Sequence, residues 1–266
     1  MEHSEYKSND FYFLYLKKLS KEGLTGEKWH EHSFYEILFF LDGESEYAIE
    51  NRLYVLKKGD VLLVKPGCHH YKRSVTKAES TIYCLGFLPN AIDCSGLAET
   101  IFEKGEYFSP GIDSPIFELM SVLKTKLVLS HSNATAFIKK IAEAVILVLN
   151  DHDLKENENT EVKNRPVQRM IDYIKEHLSS VHKVSDVADA LFFSESYTRT
   201  LFKKIMGIGI MEYVKNKKVL LAHRMIRHGR KPTEVFSECG FSNYQTFYRA
   251  YLDYFGHSPK NHPYMN

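Results

Sequence analysis

The sequence predicts two domains of different class: an antiparallel β barrel or sandwich with following helices over residues 1–150, and an all-α domain over 166–266 built from two helix-turn-helix units. Three observations carry this. Short apolar runs separated by turn residues fill 34–88, the hydrophobic period changes to that of a helix after residue 115, and the stretch DHDLKENENTEVKNRP at 151–166 has almost no apolar residues and closes on a proline. Residues 151–165 are therefore expected to be a linker between the domains.

The runs FYEILFFL, YAIE, LYVL and DVLLV, punctuated by DGE, ENR and KKGD, have the length and spacing of antiparallel strands. Further on, Ile116, Leu119, Met120, Leu123 and Leu127 repeat at helical spacing, as do Phe137, Ile138, Ile141, Val145 and Leu149. These two helices are expected to make the protein a homodimer, with Leu119, Leu123, Leu127, Ile141 and Val145 at the contact; the alternative is that the stripes pack wholly on the β domain. Beyond the linker, Pro166 sits where a helix begins, and Val167, Met170, Ile171 and Ile174 form one stripe.

Two segments then repeat one design. Val184, Val187, Ala188 and Leu191 form a short amphipathic helix, and Ser194 is placed to cap the next, SESYTRTLFKKI. Val235, Phe236 and Cys239 form another short helix; the chain turns at Gly240, and Ser242 is placed to cap NYQTFYRAYLDYF.

Composition fits this plan. At 266 residues and 44% hydrophobic content the chain can build packed cores, and no stretch approaches the ~20 apolar residues of a spanning helix. The first residues lack the pattern of a secretory signal, so a cytoplasmic protein with no membrane partner is expected. Cys68, Cys84, Cys94 and Cys239 form no C-x-x-C pair and are expected to be reduced thiols. The net charge of +1 conceals an asymmetry: residues 165–266 carry 16 Lys/Arg against 9 Asp/Glu, leaving 19 against 25 for residues 1–164. A surplus of +7 alone suits a solvated surface as well as a polyanion.

The second helix of each unit sharpens the choice. Thr198, Leu201, Phe202 and Ile205 form one packed stripe, and Phe247, Ala250, Tyr251 and Tyr254 form the other. Roughly opposite them run Ser196, Arg199, Thr200 and Lys203 in one helix, and Gln245, Tyr248, Arg249 and Leu252 in the other, with Tyr244 alongside. Such donors and acceptors suit base edges and phosphates in a major groove of double-stranded DNA. One polar helix face is ordinarily solvated surface; two of them, in the basic region, favour DNA.

At these residues the sequence resembles the AraC/XylS family of bacterial transcription regulators. VADALFFSESYTRTLFKKIMG, EYVKNKKVLLAHRMI and ECGFSNYQTFYRAYLDYFGHSP carry the resemblance, which covers about the last hundred residues. It implies two helix-turn-helix units joined by a long helix. Base-facing positions then fall on Ser196, Arg199 and Thr200, and on Tyr244, Gln245, Tyr248 and Arg249. The sequence departs from the family at Lys218, where arginine is usual, at Phe236, where a small residue is usual, and at Tyr251-Leu252, where phenylalanine-lysine is usual. With Asp253 following, the second unit is expected to hold phosphate less firmly than the first.

In the N-terminal part, WHEHSFYEILFFLDG matches the first motif of cupin barrels through His30, His32, Glu36 and Gly43, and GDVLLVKPGCHH resembles the second, with His70 at its histidine position. Imidazoles and a carboxylate on neighbouring strands could hold a divalent metal. The resemblance instead implies a sensor that binds a small organic molecule without metal or other cofactor, so Trp29, His30, His32, Glu36 and His70 are expected to line an effector pocket. Trp29, Tyr35, Tyr47 and Tyr54 would give that pocket an aromatic face suited to a carbohydrate. The expected function is thus a ligand-responsive, DNA-binding regulator and not an enzyme. The rivals are a metal-dependent cupin enzyme using His30, His32, Glu36 and His70, and a constitutive DNA-binding protein whose cupin serves only assembly.

Overall fold

A computed structural model describes residues 2–18, 30–43, 45–73, 80–88, 90–129, 133–151, 161–162 and 164–260. The chain divides into two compact units, residues 1–161 and 162–266. Most of the expected linker lies outside the described residues; within it a two-residue strand occupies Glu161–Val162.

The first unit begins with β1 (Glu2–Lys7) and β2 (Phe11–Lys18), which lie before the region where strands were expected. The expected runs then form β3 (Tyr35–Asp42), β4 (Ser45–Ile49), β5 (Arg52–Leu56) and β6 (Val61–Val64). They are followed by β7 (His70–Arg73), β8 (Ser80–Phe87), α1 (Ser95–Lys104) and β9 (Tyr107–Phe108). One sheet has the order β1-β2-β8-β3-β6-β9, and a second contains β5, β4 and β7 in that order. The pairings are antiparallel, with Tyr12 opposite Gly86, Gly86 opposite Glu36, and Glu36 opposite Val64 along one row.

The central strand β3 is apolar because both its faces are covered. Tyr35, Ile37 and Phe39 join a core with Phe102 of α1, Met120 of α2 (Pro115–Leu129) and Ile138 of α3 (Ala134–Asn150). Leu38 and Phe40, one register position away, join a second core with Tyr47, Tyr54 and Leu56 of the other sheet. The helices thus lie on the outer face of the first sheet. This overturns the expected use of their stripes: Leu123, Ile141 and Val145 are buried within the unit, Leu119 is half-buried, and the Leu127 side chain lies outside the described residues. A sheet with two apolar faces must bury the outer one, and α2 and α3 do so.

The second unit is helical: α4 (Arg165–Glu176), α5 (Val184–Ala190), α6 (Glu195–Met206), α7 (Ile210–Arg227), α8 (Pro232–Glu238) and α9 (Tyr244–Phe255). Its two cores share α7. Ile210, Tyr213 and Val214 pack with α4, α5 and α6, whereas Val219, Ala222 and Ile226 pack with α8 and α9. Ser194 caps α6, its hydroxyl oxygen accepting the Tyr197 N–H at 3.2 Å. The cap of α9 is Asn243, not Ser242; its side-chain oxygen accepts the Thr246 N–H at 2.8 Å. Residues 191–194 join α5 to α6 but 239–243 join α8 to α9, so the second turn is one residue longer and its cap falls one residue later.

The two turns also differ in strain. The second reverses at Gly240 with φ +79°, whereas the first uses Phe192 at φ +59°, 94% exposed. A left-handed conformation costs a side-chain-bearing residue about 1–2 kcal/mol, and Phe192 recovers almost nothing by burial. Phe192→Gly should therefore stabilise the second unit by roughly 1 kcal/mol, less the greater freedom glycine gives the unfolded chain. Urea unfolding followed by circular dichroism measures this, and a decrease in stability would contradict it.

Candidate nucleic-acid interface and effector pocket

The nucleic-acid face is built by capping and amphipathicity. In α6, Thr198 and Phe202 are buried, with Leu201 and Ile205 half-buried, which turns Ser196, Arg199, Thr200 and Lys203 to solvent. In α9, buried Phe247, Ala250 and Tyr251 expose Gln245, Arg249 and Leu252 and leave Tyr248 half-buried. Counted from each cap, the residues pair as Ser196 with Gln245, Arg199 with Tyr248, Thr200 with Arg249, and Lys203 with Leu252. The two helices thus offer corresponding surfaces with different chemistry. Arg199 donates to Glu195 at 2.9 Å, an exposed pair one helical turn apart. Such a pair is worth a few tenths of a kcal/mol and yields readily to a phosphate or guanine.

Tyr244 departs from its expected place on the reading face. Its ring packs against Phe247 at 5.7 Å and Phe236 at 5.9 Å, and burial raises its phenol pKa. The aromatic Phe236 therefore has a partner here, and Tyr244 buttresses Tyr248 at 6.3 Å. Tyr251 is fully buried, with its hydroxyl 2.7 Å from His223 Nδ1. Lys218 does not belong to the nucleic-acid face at all. It is 5% exposed, and its ammonium donates to the carbonyls of Val181 and Gly240.

In the first unit four of the expected pocket residues, His30, His32, Glu36 and His70, converge. His30 and His70 form an antiparallel bridge, each amide donating to the other's carbonyl, at 3.1 and 3.0 Å. This places their rings 4.2 Å apart, with His32 4.8 Å from His70. His30 is exposed, His32 half-buried, and His70 buried. Glu36, 8% exposed, lies beneath them with one carboxylate oxygen 3.3 Å from both His32 Nε2 and His70 Nε2. Its other oxygen accepts the Tyr12 hydroxyl at 2.6 Å and the Cys84 thiol at 2.9 Å. Burial alone would favour the neutral acid, but hydrogen bonds and charge from His32 and His70 outweigh it and hold the carboxyl well below the usual carboxylate range.

Tyr12, Cys84 and Gly86 complete this cluster and lie outside the motifs that mark the histidines. Tyr12 crosses the sheet above Gly86, where an added Cβ would come within 1.9 Å of its ring. The only trace of this in the sequence is a tyrosine at an inward position of the apolar strand FYFLYLKK. One nitrogen from each of His30, His32 and His70 can lie within 4.8 Å of the others, so the three could hold a divalent cation. Trp29 lies outside the described residues. Tyr35 faces the helices instead, 4.4 Å from the Phe102 ring. It stands one residue before Glu36 on β3, so its side chain points to the other face of the sheet. Tyr47 and Tyr54 are buried in the core between the sheets, with the Tyr54 hydroxyl donating to Glu106.

Comparison with known proteins agrees with both halves. A family model described as an AraC-like ligand binding domain matches residues 25–160, and one described as a helix-turn-helix domain matches residues 187–262. The chain is 25% identical to the probable transcriptional regulator LumQ of Photobacterium leiognathi, over 89% of this chain and 92% of that protein. It is 22% identical to the transcriptional activator RhaR of Escherichia coli, over 89% and 87%. The solved structure of ToxT from Vibrio cholerae with an unsaturated fatty acid bound aligns over 95% of this chain and 94% of that one, at 11% identity and a TM-score of 0.38. Among the described residues no helix is long and apolar enough to cross a membrane. With a ligand-binding half and a helix-turn-helix half both matched, the chain belongs to the AraC/XylS family of DNA-binding transcription regulators.

Proposed function

We propose that the protein reads double-stranded DNA through Ser196, Arg199, Thr200 and Lys203 of α6 and through Gln245, Tyr248 and Arg249 of α9, with Tyr244 supporting Tyr248. The observation that carries this is the pair of exposed polar stripes at equivalent positions of two capped helices. The first helix offers two cations and small hydroxyls; the second offers an amide, a phenol and one guanidinium. Because Lys203 is matched by Leu252, and Asp253 follows, α6 supplies more of the phosphate attraction.

His30, His32, Glu36 and His70 form the binding floor for a small polar effector, such as a carbohydrate. The exposed His30 faces incoming ligand, and Glu36 orients His32 and His70 from below. Effector binding shifts regulation by favouring one state of the sensor over another. No enzymatic role is part of this proposal. The protein acts in the cytoplasm as a homodimer joined through the first unit. Val122 and Leu147, at 45% and 54% exposure, mark the apolar surface of α2 and α3 left for such pairing.

Arg199→Ala and Arg249→Ala test the DNA contacts. A bidentate contact to guanine makes each replacement cost about 1–3 kcal/mol and relax specificity at one base pair. Binding titrations at fixed salt, on duplexes selected from a random library by the unaltered protein, give the answer. Unchanged affinity and sequence preference in both variants would reject these contacts.

A further inference from the structure

We propose that Lys218 is a positioning residue that sets the spacing and rotational phase of the two DNA-reading helices. It lies in α7 between Val214, which closes the core of the first helix-turn-helix unit, and Val219, which opens the core of the second. At this point its Nζ donates to the Val181 carbonyl at 2.7 Å and to the Gly240 carbonyl at 3.0 Å. Val181 belongs to the connection between α4 and α5, and Gly240 to the turn between α8 and α9. One buried ammonium therefore bridges the two units across the helix they share.

Both acceptors sit on constrained backbone. Beside Val181, the Asp186 carboxylate accepts the amides of His182 at 2.7 Å and Lys183 at 2.9 Å, which ties the connection to the start of α5. At Gly240 the two units touch directly, since a Cβ there would lie 1.9 Å from the Ser179 carbonyl oxygen. A buried ammonium is costly, and a hydrophobic side chain of the same length would fill the space at less cost. What the ammonium adds is a shared tether: two carbonyls from different units must both stay within hydrogen-bond reach of one donor, which narrows their relative orientation. Burial, the larger influence, lowers the Lys218 pKa, with Asp186 opposing it.

The consequence lies on DNA. The 18 residues of α7 span about 27 Å, while successive major grooves on one face recur about every 34 Å. Two reading helices held in one orientation bind adjacent grooves as a single rigid body, and the second contact forms at a high effective concentration. This inference rests on the proposal that both helices read sequence.

The test uses the full chain and a duplex that it selects from a random library. That duplex is compared with a copy carrying five inserted base pairs between the two footprinted segments and a copy with one segment scrambled. Lys218→Met should lower affinity for the intact duplex about tenfold or more, leave the one-segment duplex within about twofold, and shrink the penalty of the insertion. Lys218→Arg, which keeps the donors, should restore the unaltered pattern. Should Lys218→Met fail to fold, Lys218→Gln is read in the same way. The proposal is overturned by unaltered binding in the Met or Gln variant, or by equal losses on the intact and one-segment duplexes. If the insertion costs the unaltered protein nothing, one unit alone reads DNA and the two-helix reading falls along with this proposal. If the insertion is costly in every variant alike, only the role of Lys218 is rejected.

Discussion

Gly240→Ala should destabilise the second unit by about 3 kcal/mol or more and abolish DNA reading by α9. Two costs combine there. The residue has φ +79°, a conformation that penalises any side chain by roughly 1–2 kcal/mol, and its new Cβ would lie 1.9 Å from the Ser179 carbonyl oxygen. The obstructing atom is backbone, so relief requires moving the α4–α5 connection or the α8–α9 turn, and either movement disturbs the Lys218 bridge. Gly229 provides the control: its φ is +84°, but nothing lies within 4 Å of an added Cβ. Gly229→Ala should cost only the conformational part, about 1–2 kcal/mol. Urea unfolding of the two variants separates steric contact from backbone strain, and equal destabilisation would show that the contact with Ser179 contributes nothing.

The second large effect is expected at Glu36. Glu36→Ala removes the acceptor of the Tyr12 hydroxyl and the Cys84 thiol and the carboxylate oxygen 3.3 Å from both His32 Nε2 and His70 Nε2, all in a largely buried site. Breaking a buried charged group from its partners typically costs about 3–5 kcal/mol. Glu36→Gln, which keeps the shape and one oxygen acceptor, should cost less. The pH dependence has a definite sign. The Glu36 pKa is depressed in the folded protein, so its stabilisation is complete above the unfolded-state value of about 4.3 and is lost as pH falls through the lower folded value. The destabilisation by Glu36→Ala should therefore be largest near neutral pH and diminish below about pH 4. Thermal melts across this range measure it; a cost that grows on acidification would refute the assignment.

Much of the site was legible because its residues announce themselves locally. His30 and His32 precede an apolar strand, His70 follows another, and the helical period of α6 and α9 separates packed from exposed positions without further information. The cap of α9 falls on Asn243 and not on the expected Ser242 because the second turn holds one residue more than the first. The stripes of α2 and α3 carried the opposite ambiguity. Periodicity identifies an apolar face, but Leu123, Ile141 and Val145 face the first sheet, and only the topology supplies that partner.

The sequence by itself determined the two-domain division, the strands between residues 35 and 64, the helices after residue 115, and the outward polar stripes, because these follow from hydrophobic period and local turn chemistry. The tertiary structure decided the rest. Tyr12 and Cys84 meet Glu36 because β2 and β8 pair in a register that lays Tyr12, Gly86 and Glu36 in one row. Lys218, which the sequence marks only as a departure from the arginine usual in the family, is a buried bridge because the Val181 and Gly240 carbonyls, 37 and 22 residues away in sequence, converge on its ammonium. A side chain's partners across such separations are fixed by how sheets and helices pack, and no local pattern encodes them.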